Sequence, residues 1–231
     1  MPSVHFCTFG TDTFAAALRR IEQQARASGY FDTVTLYSPS TTPGLEAHTA
    51  FVEANPRGYG YWIWKPLVIL DQMRRAGPED IIVYTDAGST VNASRAAKGR
   101  WAAYRALVEQ APHRLCILQP WTREVDWCKG DLLDLMGVRG PGPQAWAGVQ
   151  ILKNTPENKA LVEEWFSIMT RDNYHYVDDS PSKSPNMPTF NEHRHDQSVI
   201  SLLMKQRGAQ FIADIGSHDQ YPIALTQKRD S

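Results

Sequence analysis

Ile81-Ile82-Val83-Tyr84-Thr85-Asp86-Ala87-Gly88 is the stretch from which the fold is read. Residues 81–84 are an unbroken apolar run with β-branched side chains. A run without a polar face predicts a central strand of a parallel sheet, covered on both sides. It ends in a carboxylate followed closely by a glycine. Just upstream, Gly77-Pro78 breaks a helix predicted over 66–76, which opens on Pro66, a favoured residue for a first helical turn.

Outward from this strand the pattern repeats. A buried strand over 4–9 leads into a Gly10-Thr11 turn. Asp12 and Thr13 are then expected to cap a helix whose Phe14, Leu18, Ile21 and Ala25 share one face, and Gly29 closes it. Further strands are predicted over 34–37, 115–118, 146–153 and 211–215, and further helices over 48–55, 101–110, 131–136, 156–170 and 196–207. Gly140-Pro141-Gly142-Pro143 is a hard turn. Residues 178–188 are polar and rich in Pro and Ser, and are expected to be the most mobile segment. Strands alternating with helices imply an α/β fold: a mainly parallel, twisted sheet with helices on both faces. With 231 residues, no internal repeat and no linker, the chain is expected to form a single domain over 1–231.

The composition narrows the function. Net charge is −1 and the Lys and Arg residues are scattered, with Arg19-Arg20 and Arg74-Arg75 reading as solvated helix faces. Without a basic face, nucleic acid is not an expected partner. The three cysteines include no C-x-x-C pair, which argues against a disulfide framework or a structural zinc and fits a reducing compartment. The N-terminus opens on a strand, without the pattern of a signal peptide, and no apolar run is long enough to span a bilayer. A soluble cytoplasmic protein is expected, able to lie peripheral to a membrane and to reach a membrane-bound substrate from the cytoplasmic side or through a partner. Asn92-Ala93-Ser94 matches a glycosylation sequon, which matters only in a secretory lumen. Seven Trp and nine Tyr are mostly core filler, yet they also supply surfaces on which bases and sugar rings stack.

Ligands of open α/β sheets bind at the carboxyl ends of strands. Two such ends stand out. Gly10, after the first strand, lets a ligand approach the backbone. Asp86, before Gly88, either caps its turn or holds a divalent cation that bridges nucleotide phosphates. Lys65 lies in Gly58-Tyr59-Gly60-Tyr61-Trp62-Ile63-Trp64-Lys65-Pro66, two glycines among four aromatics. It is either a solvated lysine at a helix start or a point charge for phosphates. Glu192, His193, Arg194, His195 and Asp196 are dense in titratable groups, with Glu192 and Asp196 on one face if both are helical. Asp196 is also suited to cap the helix that follows. His218 follows the last strand.

The segment G-Y-G-Y-W-I-W-K-P, a helix, then I-I-V-Y-T-D-A-G resembles glycosyltransferases of the GT-A type from bacteria and viruses. In those enzymes the strand ends in D-x-D, or a shortened form, which binds Mn²⁺ or Mg²⁺ and the donor diphosphate. Gly88 replaces the second acid here. The resemblance implies a GT-A-like domain that moves a sugar from a nucleoside diphosphate sugar to a glycan or lipid-linked acceptor. It implies donor binding by Thr8, Gly10 and Thr11 in C-T-F-G-T, by Lys65, and by Asp86, Ala87 and Gly88. It implies sugar or acceptor contacts from Trp146 and Gly148 in W-A-G-V-Q and from His195 and Gln197. Asp196, with Glu192, would be catalytic, and Asp86 with His218 would hold the metal. Two other readings stay open. Asp86-x-Gly88-x-Thr90 is superficially similar to the motif of aspartyl-phosphate phosphatases, which carry an acid where Gly88 stands, and a nucleotide- or sugar-binding module without activity also accommodates the loss of that acid.

Overall fold

The computed structural model describes residues 2–138, 140, 142–216 and 218–224. Nine strands are present among them: β1 (Val4–Phe9), β2 (Thr33–Tyr37), β3 (Ile81–Thr85), β4 (Thr90–Val91), β5 (Arg114–Arg123), β6 (Pro143–Ala145), β7 (Val149–Lys153), β8 (Gln210–Ile212) and β9 (Ile223–Ala224). The helices are α1 (Ala15–Ser28), α2 (Thr49–Ala54), the short turn α3 (Gly58–Tyr61), α4 (Trp64–Arg75), α5 (Arg95–Val108), α6 (Glu124–Trp127), α7 (Gly130–Met136), α8 (Pro156–Tyr174) and α9 (His195–Arg207).

Seven strands form one sheet in the order β2-β1-β3-β7-β5-β6, with β8 beside β5. β1 pairs in parallel with β2 and β3, and β8 pairs in parallel with β5. β7 runs antiparallel between β3 and β5, and β6 runs antiparallel to β5. Five of the seven strands therefore point one way, giving the mainly parallel sheet expected from the alternating pattern, with β6 and β7 reversed. β4 and β9 form a separate two-stranded ribbon.

The core lies on both faces of the sheet. On one, Cys7, Ile82, Tyr84 and Leu152 pack with Val68 and Ile69 of α4, Trp165 of α8 and Val199 of α9. On the other, Phe6, Ile81, Val83 and Ile151 pack with Ile21 of α1 and Trp101 and Tyr104 of α5. Successive strand residues point to opposite faces, so the apolar run of β3 feeds both cores. Helix α1 buries Ala17, Ile21, Ala25 and Ser28, one stripe along its length, and ends on Gly29 in the left-handed region (φ 71°), a common way to close a helix. Thr155 caps α8 by accepting from Asn158 N, with Pro156 in the first turn.

Two expectations are corrected. Residues 146–148 precede β7 as a turn rather than forming its start. The segment 178–188, expected to be mobile, is pinned: Asp131 accepts from Lys183 N (2.8 Å) and Ser184 N (2.6 Å), and Gly130 N donates to Asn186 Oδ1 (2.8 Å). Buried Lys129 donates to His175 O (2.6 Å) and to Ser180 Oγ (3.2 Å). The polar composition that reads as a solvated loop is instead satisfied by side chains of α7 and the residue before it.

Candidate active site

A cleft of about 1040 Å³ opens at the carboxyl ends of β1 and β3. Three charged side chains meet in it. Lys65, in the first turn of α4, places Nζ 2.6 Å from Asp196 Oδ2 and 3.3 Å from Asp86 Oδ1. Asp196 belongs to the first turn of α9, and Asp86 follows β3. Tyr84, the penultimate residue of β3, donates its hydroxyl to Asp86 Oδ1 (2.6 Å). The side chains of Lys65 and Asp196 are 2% and 6% exposed and that of Asp86 is 37% exposed, so Asp86 is the member a ligand meets first.

Burial sets the electrostatics. It acts to lower the pKa of Lys65, but the carboxylates of Asp196 and Asp86 outweigh it, and Lys65 is held above the ordinary lysine value. Burial pushes Asp196 up to about 6, with Lys65 pulling it back and Asp86 adding to the rise. Burial, and then the Asp86 charge, raise Tyr84 well above its ordinary value, so it remains a donor. Removing one partner of a buried ion pair costs about 3–5 kcal/mol, because an uncompensated charge is left behind.

Asp86 sits at the head of a braced turn. Its N–H donates to Gly148 O (2.9 Å), and Ser89 N donates to Asp86 O (2.9 Å). Arg20 of α1 reaches across and donates to Ser89 O (2.7 Å) and Ala87 O (3.1 Å). Arg20 is therefore a brace of the turn, not part of a solvated helix face. Gly10 lines the cleft, but packing also requires a glycine there: a Cβ would lie 2.9 Å from Leu18 Cδ1 and 3.1 Å from Phe14 Cβ. Gly148 likewise leaves room for the Trp146 ring, 2.3 Å from where its Cβ would be.

The cleft brings together Gly10, Thr11, Lys65, Asp86, Ala87 and Gly88 with Trp146, Gly148, His195, Asp196 and Gln197. Thr8 is buried beneath, outside the lining, and its Oγ1 has no hydrogen-bond partner. Glu192 lies outside the lining, in the loop before α9, so it shares no helix face with Asp196; it faces Arg57 (3.5 Å) and Arg194 (3.6 Å). His218 is exposed beside the β4–β9 ribbon, where its carbonyl accepts from Asn92 Nδ2 (3.4 Å), and it does not line the cleft.

The donor set can be tested against a cation. A resident divalent ion takes about six oxygen ligands. Among the described residues, no group of three or more His, Cys, Asp or Glu side chains is placed to hold one. An ion that arrives with a nucleotide needs only one or two carboxylates beside the phosphates. Asp86, the exposed carboxylate of the cleft, suits that arrangement.

Some cleft residues carry no sequence motif. Gln119 of β5 and Gln144 of β6 accept from Gln197 Nε2 at 2.7 and 2.8 Å, fixing its amide. The turn before Lys65 is left-handed over five residues: φ is 59° at Gly58, 55° at Tyr59, 80° at Gly60, 51° at Tyr61 and 62° at Trp62. Glycine adopts this freely, whereas the three aromatic residues do so at roughly 1–2 kcal/mol each. The two glycines among aromatics were the visible signal, although they did not predict the turn's hand.

No family model matches the chain, and no curated protein matches its sequence. Solved structures do. The bifunctional glycosyltransferase WbbM superposes with a TM-score of 0.54 at 10% identity, over 91% of this chain and 39% of that one. The chain thus spans well under half of the WbbM chain. The galactosyltransferase LgtC, solved with donor and acceptor sugar analogs, gives a TM-score of 0.48 at 13% identity over 90% of this chain and 72% of that one. Mouse xyloside xylosyltransferase 1 gives 0.46 at 12% identity, over 90% of this chain and 84% of that one. With a reversed strand inside a mainly parallel sheet and a cleft at its carboxyl ends, the chain has the fold of the GT-A-type glycosyltransferases.

Proposed function

We propose that this chain transfers a sugar from a nucleoside diphosphate sugar to an acceptor hydroxyl. One observation carries the reading: the buried ammonium of Lys65 joins Asp86 and Asp196 inside a cleft at the carboxyl ends of β1 and β3. In this reading the nucleotide lies against Gly10, Thr11 and the turn at 87–89, and the transferred sugar lies near Asp196. The bond from the anomeric carbon to the diphosphate breaks as the acceptor oxygen bonds to that carbon, and the proton of the acceptor hydroxyl passes to the departing diphosphate. Asp196, ionised and held by Lys65, stabilises positive charge developing on the sugar. Gln197, whose Nε2 is fixed by Gln119 and Gln144 and whose Oε1 accepts from Ala147 N (3.4 Å), lines the cleft beside Asp196. Glu192 orients Arg57 and Arg194 rather than taking part in the chemistry.

A divalent cation, Mn²⁺ or Mg²⁺, would neutralise charge on the leaving diphosphate. Asp86 would hold it together with the donor's own oxygens, and His218 has no part in this arrangement. The acceptor is a glycan or a lipid-linked saccharide. The free, buried cysteines Cys7, Cys116 and Cys128 support a cytoplasmic setting, and no helix among the described residues is long and apolar enough to cross a membrane. A lipid-linked acceptor would thus be met at a membrane surface.

A thermal-shift screen of nucleoside diphosphates and their sugars, with and without Mn²⁺, tests the reading. A ligand at about 100 times its Kd adds about 2.7 kcal/mol. For a chain of this size that raises Tm by roughly 5–10 °C. Asp86→Ala should lose the Mn²⁺-dependent part of the shift and keep the fold. If no nucleotide shifts the intact protein, the reading fails.

A further inference from the structure

The left-handed turn Gly58–Trp62 delivers two rings to one partner. Tyr61 and Trp62 lie over the imidazole of His195, with ring centroids 4.6 and 5.6 Å away. His195 is itself left-handed (φ 50°), at the very start of α9. Its Nδ1 lies 2.8 Å from Val177 O, and since a carbonyl oxygen can only accept, Nδ1 carries the proton. Nε2 is then a bare lone pair. It is buried, it has no hydrogen-bond partner, and the nearest charged oxygen is Asp179 Oδ1 at 3.7 Å, itself an acceptor. Burial lowers the pKa of His195 to about 4, so the ring is neutral in ordinary buffers.

His195 lines the cleft beside Arg57, Tyr59 and Trp62. A buried acceptor without a donor is costly unless a ligand or water supplies one. An ionised group has no proton to give, and the charge of Arg57 beside it is already met by Asp179 (3.3 Å) and Glu192 (3.5 Å); a hydroxyl can supply one. Half-buried Tyr59 and Trp62 provide the aromatic wall on which a sugar ring packs. A Cβ at Gly58 would lie 2.5 Å from the Trp62 ring, so the glycine lets that ring lie directly on the backbone.

We propose that His195 Nε2, walled by Tyr59 and Trp62, is a subsite for an uncharged pyranose and accepts a hydrogen bond from one of its ring hydroxyls. The proposal rests on the glycosyltransferase reading and names the substrate chemistry of the same cleft. Acceptor sugar and transferred sugar both carry such hydroxyls, and the test separates them. The full chain, labelled with ¹⁵N at histidine, is titrated with methyl glucoside, methyl galactoside, methyl mannoside and methyl glucuronide, each with and without UDP and GDP, and then with intact UDP- and GDP-sugars. The His195 Nε2 resonance is assigned by its loss in His195→Gln.

A neutral glycoside that moves Nε2 assigns the subsite to the acceptor. Movement only with an intact nucleotide sugar assigns it to the transferred sugar. Either result supports the proposal, and the glucuronide should move the resonance least. His195→Phe should weaken binding of the active sugar about tenfold, whereas His195→Gln, which keeps an acceptor atom, should stay within about threefold. If a nucleotide binds and no sugar moves Nε2, the subsite is overturned and the transferase reading stands. If neither nucleotide nor sugar binds, both fall. The wild-type titration decides the matter even where a variant fails to fold.

Discussion

Lys65 and Asp196 are the residues whose chemistry is most exposed to test. Asp196 has its pKa raised from 3.8 to about 6, so its carboxyl is protonated below that pH and ionised above it. If the ionised form serves the reaction, kcat/KM rises with pH through about 6 and levels off by about 7. The limb belongs to the Lys65–Asp86–Asp196 cluster as a whole. Lys65→Met should move it upward by about one unit or more, as the opposing charge is lost. A pH profile that stays flat between 5 and 7 in the wild type would remove Asp196 from the reaction. The linkage to stability has the same sign: the folded state binds the extra proton, so this group's contribution is full below the ordinary carboxylate pKa and is lost as pH rises through about 6. Asp131 behaves oppositely. Burial acts to raise it, but the N–H groups of Ser184 and Lys183 and the His175 side chain bring it down to about 2. Its contribution, about 2 kcal/mol, is present above pH 4 and lost as pH falls toward 2, which acid-titration calorimetry of Asp131→Asn against wild type would show. At this scale Lys65, Asp86 and Asp196 were legible, because residues near strand ends and helix starts are where α/β sheets bind ligands. Glu192 and His218 were not correctly placed: a four-residue spacing means a shared face only inside a helix, and α9 begins after Glu192.

Among the elements, two turns carry the site. The turn at 87–89 is braced from outside by Arg20, so Arg20→Met should raise the donor KM more than it lowers Tm, and Arg20→Lys should recover part of the loss. Equal loss of Tm and activity would make Arg20 only a packing residue. The turn Gly58–Trp62 holds its shape because Gly58 and Gly60 tolerate positive φ and because there is no room for a Cβ. Added at Gly60, a Cβ would lie 2.8 Å from Val52 Cγ2. Gly60→Ala should therefore cost about 1–3 kcal/mol by thermal or denaturant unfolding. Neither turn could be read in full from sequence. Arg20 sits next to Arg19 at a helical position that shows charge and nothing of what it reaches. The hand of the turn depends on where Trp62 and His195 pack, a contact between residues 133 positions apart (195 less 62). The anchored segment at 178–188 follows the same rule, since its partners Lys129 and Asp131 lie on a different element.

For the whole molecule, alternation of strand and helix was enough to indicate the layers, because each apolar face must be covered. It could not show that β7 is reversed between β3 and β5: a run buried on both faces has the same pattern in either direction. On the face covered by α4, α8 and α9, Trp165 of α8 is fully buried and its Nε1 donates to the backbone oxygen of Asp196 (3.2 Å), tying α8 to the start of α9. Trp165→Ala should cost about 3–5 kcal/mol. The milder Trp165→Phe should lower kcat more than its effect on Tm explains, because the start of α9 loses its anchor; if activity tracks Tm alone, that coupling is absent. The pairing of Lys65 with Asp196 has one more consequence, in time. The two are 131 residues apart in the chain. At synthesis rates of about 5–20 residues per second, Lys65 leaves the ribosome roughly 7–26 s before its partner. For that interval α4 carries an ammonium into what will become the core with no carboxylate from α9 to meet it. Until the last long helix emerges, Asp86 is the carboxylate within reach of Lys65, and the closer pair with Asp196 forms last.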